Sequence, residues 1–170
     1  MVPSVIVVMG VSGSGKTTIA RALAQRLRWS FAEGDEFHPA SNVAKMRAGV
    51  ALTDEDRWPW LDAIAAWIRE TRARGESCVV ACSALKRAYR ERIAAGRDDA
   101  CFVFLQGDPD TIAGRLERRT GHYMPLSLLQ SQFATLEVPA EDEWHIVVPV
   151  DDDPADMVGR ILSTLGLPAL

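Results

Sequence analysis

Two kinds of apolar pattern alternate along the chain. Short apolar runs occur at Ser4–Met9 (SVIVVM), Ser77–Cys82 (SCVVAC) and Cys101–Leu105 (CFVFL), with a shorter one at Trp29–Phe31 and a last one at Ile146–Val150. Runs of this length, rich in Val, Ile and Phe and apolar on both faces, predict strands buried within a parallel sheet. Between them, Ala20, Leu23, Ala24 and Leu27 recur at i, i+3, i+4 and i+7, and Leu61, Ile64, Ala65 and Ile68 repeat the spacing. Each set is one apolar face of a helix. Thr53 stands where the second of these helices needs an N-cap, and Pro59 within it predicts a kink or a later start. Asp108-Pro109 and Asp153-Pro154 each read as a cap followed by proline at the first helical position, and Gly166 with Pro168 ends the last helix. Strands alternating with helices predict an α/β fold, a central parallel sheet flanked by helices.

The chain has 170 residues, the size of one domain spanning 1–170, with 48% apolar and 25% charged residues. Those proportions exclude a disordered or fibrous chain. The net charge of −4 argues against nucleic acid or an anionic membrane surface as a partner. No apolar run approaches the ~20 residues of a membrane span. Met1-Val2-Pro3-Ser4 lacks the basic and small-residue features of a signal peptide, so a cytoplasmic protein is expected. Cys78, Cys82 and Cys101 form no CxxC pair and are expected as reduced, buried thiols.

The sharpest chemical feature follows the first strand. Gly10-Val11-Ser12-Gly13-Ser14-Gly15-Lys16-Thr17 fits G-x-x-x-x-G-K-[ST] between a strand and a helix, the setting in which that pattern cradles phosphates. Its backbone N–H groups, and those of the helix that Thr18 continues, suit the phosphates of ATP. Lys16 reaches toward the β- and γ-phosphates, and the Thr17 hydroxyl is the type that ligates Mg²⁺. No N-K-x-D guanine motif is present, and Ser77–Cys82 runs into Ser83 rather than an acid. Both absences favour a small-molecule or nucleotide kinase over a GTPase or motor.

Four further segments narrow the reading: Gly34-Asp35-Glu36-Phe37-His38-Pro39, Leu52 to Leu61 (LTDEDRWPWL), Cys82 to Arg90 (CSALKRAYR), and Gly121-His122-Tyr123-Met124 followed by Ser131-Gln132-Phe133 and Leu136-Glu137. At these spacings the chain resembles the gluconokinases, small P-loop kinases related to shikimate kinase, from Val5 to about Asp151. The resemblance implies phosphorylation of D-gluconate at its 6-hydroxyl by ATP with Mg²⁺. It also implies a nucleoside-monophosphate-kinase-like fold, a mobile lid at about 119–136 and often a homodimer. Members commonly carry Asp-Gly-Asp where this chain has Glu33-Gly34-Asp35, and the first acid holds the Mg²⁺ shell through water. Glu33 keeps that charge on a side chain one methylene longer.

The residues themselves suggest a division of labour. A site for gluconate needs a cation for the carboxylate, hydrogen-bonding groups for the hydroxyls, and an acid beside the attacking hydroxyl. Asp35, just past a strand, suits the last role, either accepting the proton or aiming the hydroxyl. Arg57, Lys86 and Arg90 are candidate carboxylate and hydroxyl binders, with a solvated basic face as the competing reading. Arg90 falls four residues after Lys86, on one helical face if that helix begins near Ser83. His38 either donates to a substrate hydroxyl or caps a helix. Arg115 and Arg119 share a face at i, i+4. By the resemblance they form the lid base, Arg115 over the adenine and Arg119 on the transferring phosphoryl, with His122 in the acceptor site. The rival readings are a shikimate-kinase-like enzyme for another hydroxy acid and an ATP-holding regulatory module without transfer activity.

Overall fold

The structure, a computed structural model, describes residues 2–118, 126–150 and 153–168. The strands are β1 (Val5–Met9), β2 (Ser30–Glu33), β3 (Cys78–Ala81), β4 (Ala100–Gln106) and β5 (His145–Pro149). They form one parallel sheet in the order β2-β3-β1-β4-β5. β1 is the centre, with Val7 opposite Val80 on one side and Phe102 on the other. All five β1 residues are fully buried, which is why the run reads as continuously apolar: helices cover both faces of a parallel sheet.

The helices are α1 (Lys16–Leu27), α2 (Ala40–Arg47), α3 (Asp54–Ala73), α4 (Arg87–Ala94), α5 (Pro109–Arg118), α6 (Leu126–Thr135) and α7 (Pro154–Leu165). A 3₁₀ turn, Gly34–Phe37, follows β2. α1 packs on β1, β2 and β3 and against α7, while α3 packs against α4 and β3. The stripe Ala20, Leu23, Ala24, Leu27 is the buried face of α1, and Leu61, Ile64, Ala65, Ile68 that of α3. Among the described residues no helix is long and apolar enough to cross a membrane.

The helix ends obey local chemistry. Thr53 caps α3 in a full capping box: its hydroxyl accepts from Asp56 N at 3.1 Å, and Asp56 Oδ2 accepts from Thr53 N at 2.9 Å. Asp108 Oδ1 accepts from Thr111 N at 2.9 Å, and Asp153 caps α7, which ends at Gly166 with φ 67°.

Two expectations are corrected. Pro59 does not delay α3, which begins at Asp54 and runs through it. Pro59 and Glu55 are both exposed, so solvent can meet the Glu55 carbonyl that the missing N–H leaves unpaired. Secondly, α4 does not begin near Ser83. Ala84 has φ 45°, a left-handed conformation that interrupts any right-handed helix, and Lys86 is only the cap of α4. Lys86 and Arg90 therefore do not share a helical face.

Candidate active site

The phosphate loop, the 3₁₀ turn and Ser83 follow the C-terminal ends of β1, β2 and β3, the side on which open α/β sheets bind ligands. Gly15, at φ 96°, turns the loop into α1. Within the loop, Lys16 Nζ donates to Val11 O at 2.9 Å and Ser14 N to Val11 O at 3.2 Å. Ser14 is 1% exposed, and its hydroxyl has no hydrogen-bond partner in the structure. A buried polar atom without a partner inside a glycine-rich loop fits a site completed by phosphate oxygens. Thr18 lies exposed in the first turn of α1. Arg115 of α5 donates to the carbonyl of Val150.

Thr17 Oγ1 donates to Glu33 Oε2, and Glu33 Oε1 accepts from Asp35 N at 3.3 Å. The longer glutamate thus does reach the threonine. A hydroxyl beside a carboxylate is a hard-oxygen donor set of the kind Mg²⁺ takes, with remaining positions left to water and phosphate. Among the described residues no group of three or more His, Cys, Asp or Glu side chains is placed to hold a metal ion by itself.

The 3₁₀ turn is held from both sides. A Cβ on Gly34 would lie 2.3 Å from Ala81 O, so only glycine lets the turn close onto β3. From α3, Trp60 Nε1 donates to Gly34 O at 2.7 Å. This grip sets Asp35 at the cleft. The His38 ring stacks on Trp60 with centroids 4.0 Å apart. Burial drives its pKa down to about 4, with Asp35 pulling upward and Arg57 adding to the decrease.

Arg57 lies on the same wall. Its Nη1 donates to the Tyr89 hydroxyl, its guanidinium sits 5.1 Å from the Tyr89 ring centroid, and that hydroxyl donates to Asp54 Oδ1. Lys86 Nζ pairs with Asp54 at 3.4 Å. Asp54 is held below the usual carboxylate range, first by the Tyr89 hydrogen bond.

One cleft gathers Ser12 and Lys16 from the phosphate loop, Asp35, His38, Arg57, and Trp60. Leu128, Ser131 and Gln132 of α6 line it as well, and Gln132 Oε1 accepts from Ser12 N at 2.6 Å. Arg90 does not join them. It is 2% exposed, donates to Ala84 O at 2.8 Å and pairs with Glu143 at 2.7 Å. The left-handed Ala84 sets the late start of α4 and so turns Arg90 inward. Arg119 and His122 lie outside the described residues, as does part of the expected lid. No local spacing in the sequence singles out Asn42, Tyr89 or Gln132, although Tyr89 and Gln132 lie inside the segments quoted above.

A phosphate loop that shares its cleft with a pocket of polar, acceptor-type side chains is the arrangement of a P-loop kinase. The chain matches the AAA domain family model over residues 5–139. It is 53% identical over 154 residues to a gluconokinase of Gluconobacter oxydans (strain 621H), covering 89% of this chain and 85% of that one. Among solved structures it resembles a gluconokinase from Sinorhizobium meliloti 1021 (46% identity, TM-score 0.87, 96% and 92% of the two chains). It also resembles a sugar kinase from Janibacter sp. HTCC2649 (47% identity, TM-score 0.92, 97% and 95%). The chain belongs to the gluconokinase family.

Proposed function

We propose that the protein transfers the γ-phosphoryl group of ATP to the 6-hydroxyl of D-gluconate, forming 6-phosphogluconate and ADP. The observation that carries this reading is the convergence of Asp35, His38 and Arg57 with Lys16 in one cleft. An acid, a neutral donor and a fixed cation are what a polyol with one carboxylate requires.

In this reading the loop backbone and the Ser14 hydroxyl hold the phosphates, and Lys16 exchanges its Val11 carbonyl for phosphate oxygens. Thr17 and Glu33 would hold Mg²⁺ together with water and the nucleotide, and the ion would supply charge neutralisation for the phosphates. Arg57 pairs with the substrate carboxylate. Asp35 aims the 6-hydroxyl and takes its proton as the oxygen–phosphorus bond forms and the bond to the leaving ADP breaks. Most of the acceleration then comes from positioning and charge stabilisation. By the resemblance, Arg115 covers the adenine, Arg119 meets the transferring phosphoryl, Lys86 and His122 complete the acceptor side, and residues 119–136 serve as the lid of a single domain. A cytoplasmic homodimer belongs to the same reading.

The test is ADP release by the purified protein with Mg-ATP across gluconate, other aldonates, shikimate and nucleoside monophosphates. Turnover with gluconate and formation of 6-phosphogluconate are expected. Turnover of shikimate or a nucleotide without gluconate would overturn the assignment.

A further inference from the structure

Asn42 is a buried polar side chain, 1% exposed, outside the phosphate machinery. Its position follows from the sequence just before it. Pro39 holds His38 in an extended conformation, φ −67° and ψ 132°. α2 then starts at Ala40, and Asn42 stands four residues after His38. Its Nδ2 lies 2.8 Å from Asp56 O in α3 and 3.1 Å from His38 Nδ1.

The chemistry of these three atoms leaves one assignment. A backbone carbonyl only accepts, so the amide atom facing Asp56 O is the NH₂ group. An amide nitrogen has two hydrogens and no lone pair to offer. The second hydrogen therefore points at His38 Nδ1, and Nδ1 must accept it. In a neutral ring the proton then sits on Nε2. A protonated ring would press an Nδ1–H against an N–H donor. The ring plane is fixed independently by the Trp60 stack, and Trp60 is tied to Gly34 O.

We infer that Asn42 is a positioning residue that locks His38 as the Nε2–H tautomer of a neutral imidazole, so that the cleft presents a hydrogen-bond donor to an acceptor hydroxyl. The donor half of this inference rests on the sugar-acid reading of the cleft. Two charged groups act on the ring, Asp35 of the 3₁₀ turn and Arg57 of α3. Asp35 favours the imidazolium, while burial, Arg57 and the Asn42 amide oppose it. The donor is consequently present across neutral and mildly acidic pH. A ring with its proton on Nδ1 would instead offer the substrate an acceptor and would select differently among hydroxylated acids.

The direct measurement is a long-range ¹H–¹⁵N correlation spectrum of the ligand-free, ¹⁵N-histidine-labelled protein. The chain has three histidines, and His38→Gln identifies the resonances to be read. A pyridine-type Nδ1 with a pyrrole-type Nε2 is expected, unchanged between pH 7.5 and 5.5. A protonated Nδ1, an imidazolium at pH 7 or a mixture of tautomers would overturn the lock whatever the substrate is. Asn42→Asp, which offers Nδ1 an acceptor, should move the proton to Nδ1. In kinetics, loss of one neutral hydrogen bond predicts a rise of about 3- to 10-fold in the gluconate KM of Asn42→Ala, with ATP KM nearly unchanged. The effect should vanish in a His38→Gln background. A loss that persists there would make Asn42 only a tie between α2 and α3. The expected spectrum without any gluconate turnover would overturn the substrate reading alone.

Discussion

The backbone N–H of Ser12 donates to the side-chain oxygen of Gln132 at 2.6 Å, across 120 positions of sequence. The tie joins the phosphate loop to α6, so the two walls of the cleft are connected before any ligand enters. Phosphate oxygens offer the loop alternative acceptors, so nucleotide should replace part of what Gln132 supplies. Gln132→Ala should therefore cost about 1 kcal/mol without ligand, a shift of ~2–4 °C in Tm. The gap to wild type should narrow with a saturating non-hydrolysable Mg-nucleotide. Thermal denaturation with and without the analogue measures both; a gap that nucleotide leaves unchanged would count against the exchange.

Arg57→Leu removes the cation of the acceptor pocket. Leaving a buried carboxylate unpaired costs ~2 kcal/mol or more, at least ~30-fold in gluconate KM. ATP KM should stay close to wild type. Tyr89→Phe keeps the guanidinium but deletes the hydroxyl between Arg57 and Asp54, and should raise gluconate KM by only a few-fold. Steady-state kinetics with each substrate varied in turn separate the two.

Asp35→Asn preserves shape and removes charge. If Asp35 takes the proton, kcat falls by ~10²–10⁴ while calorimetric nucleotide affinity holds. Glu33→Gln should instead raise the Mg²⁺ concentration needed for half-maximal rate, because its carboxylate stands beside the Thr17 hydroxyl. A fully active Asp35→Asn protein would move the acceptor site elsewhere.

Arg90→Leu tests whether Arg90 is a structural residue paired with Glu143. Breaking a buried pair costs about 3 kcal/mol or more by leaving the partner charge unmatched. Glu143 is only 12% exposed in this pair. Stability should fall while gluconate KM of the folded protein stays near wild type, and a second change, Glu143→Leu, should recover part of the loss. Urea unfolding and kinetics on the same samples decide. A large rise in gluconate KM would return Arg90 to the acceptor site.

His38 makes stability depend on pH in a defined window. Its folded pKa of about 4 lies below the unfolded value near 6.5. Above about pH 6.5 both states are neutral and the group contributes nothing. Between there and pH 4 the unfolded chain binds the extra proton, so stability falls as pH falls, by roughly 1–3 kcal/mol after allowance for the partly exposed ring. Urea midpoints of wild type and His38→Gln between pH 7.5 and 4.5 should show the wild type losing more; parallel curves would refute the shift.

Much of this molecule can be read from its residues because the relevant forces are local. The β1 run, the loop from Gly10 to Thr17, and the caps at Thr53, Asp108 and Asp153 depend on neighbours a few positions away. The acceptor side was less legible. Whether Lys86 and Arg90 share a face depends on where α4 begins, and that is set by the left-handed Ala84, a residue type with no preference for such a conformation. The tie of Asn42 to Asp56 joins two helices, and that of Gln132 to Ser12 spans most of the chain. No spacing rule within one element reports such pairings. Pro59 left a kink and a later start both open for a related reason: the cost of a proline within a helix depends on whether water reaches the carbonyl four residues before it, here Glu55.

The three cysteines have a use beyond packing. Cys78 and Cys101 are fully buried and Cys82 is 1% exposed. Burial pushes each thiol up to about 12. Alkylating reagents need thiolate and access, and the native sheet withholds both. A cysteine introduced on α6 would thus be the one reactive handle on the folded chain, and a fluorophore placed there could follow the cleft wall during turnover with no native cysteine removed. The native thiols would answer only when the sheet opens, so their slow modification would clock unfolding at its centre.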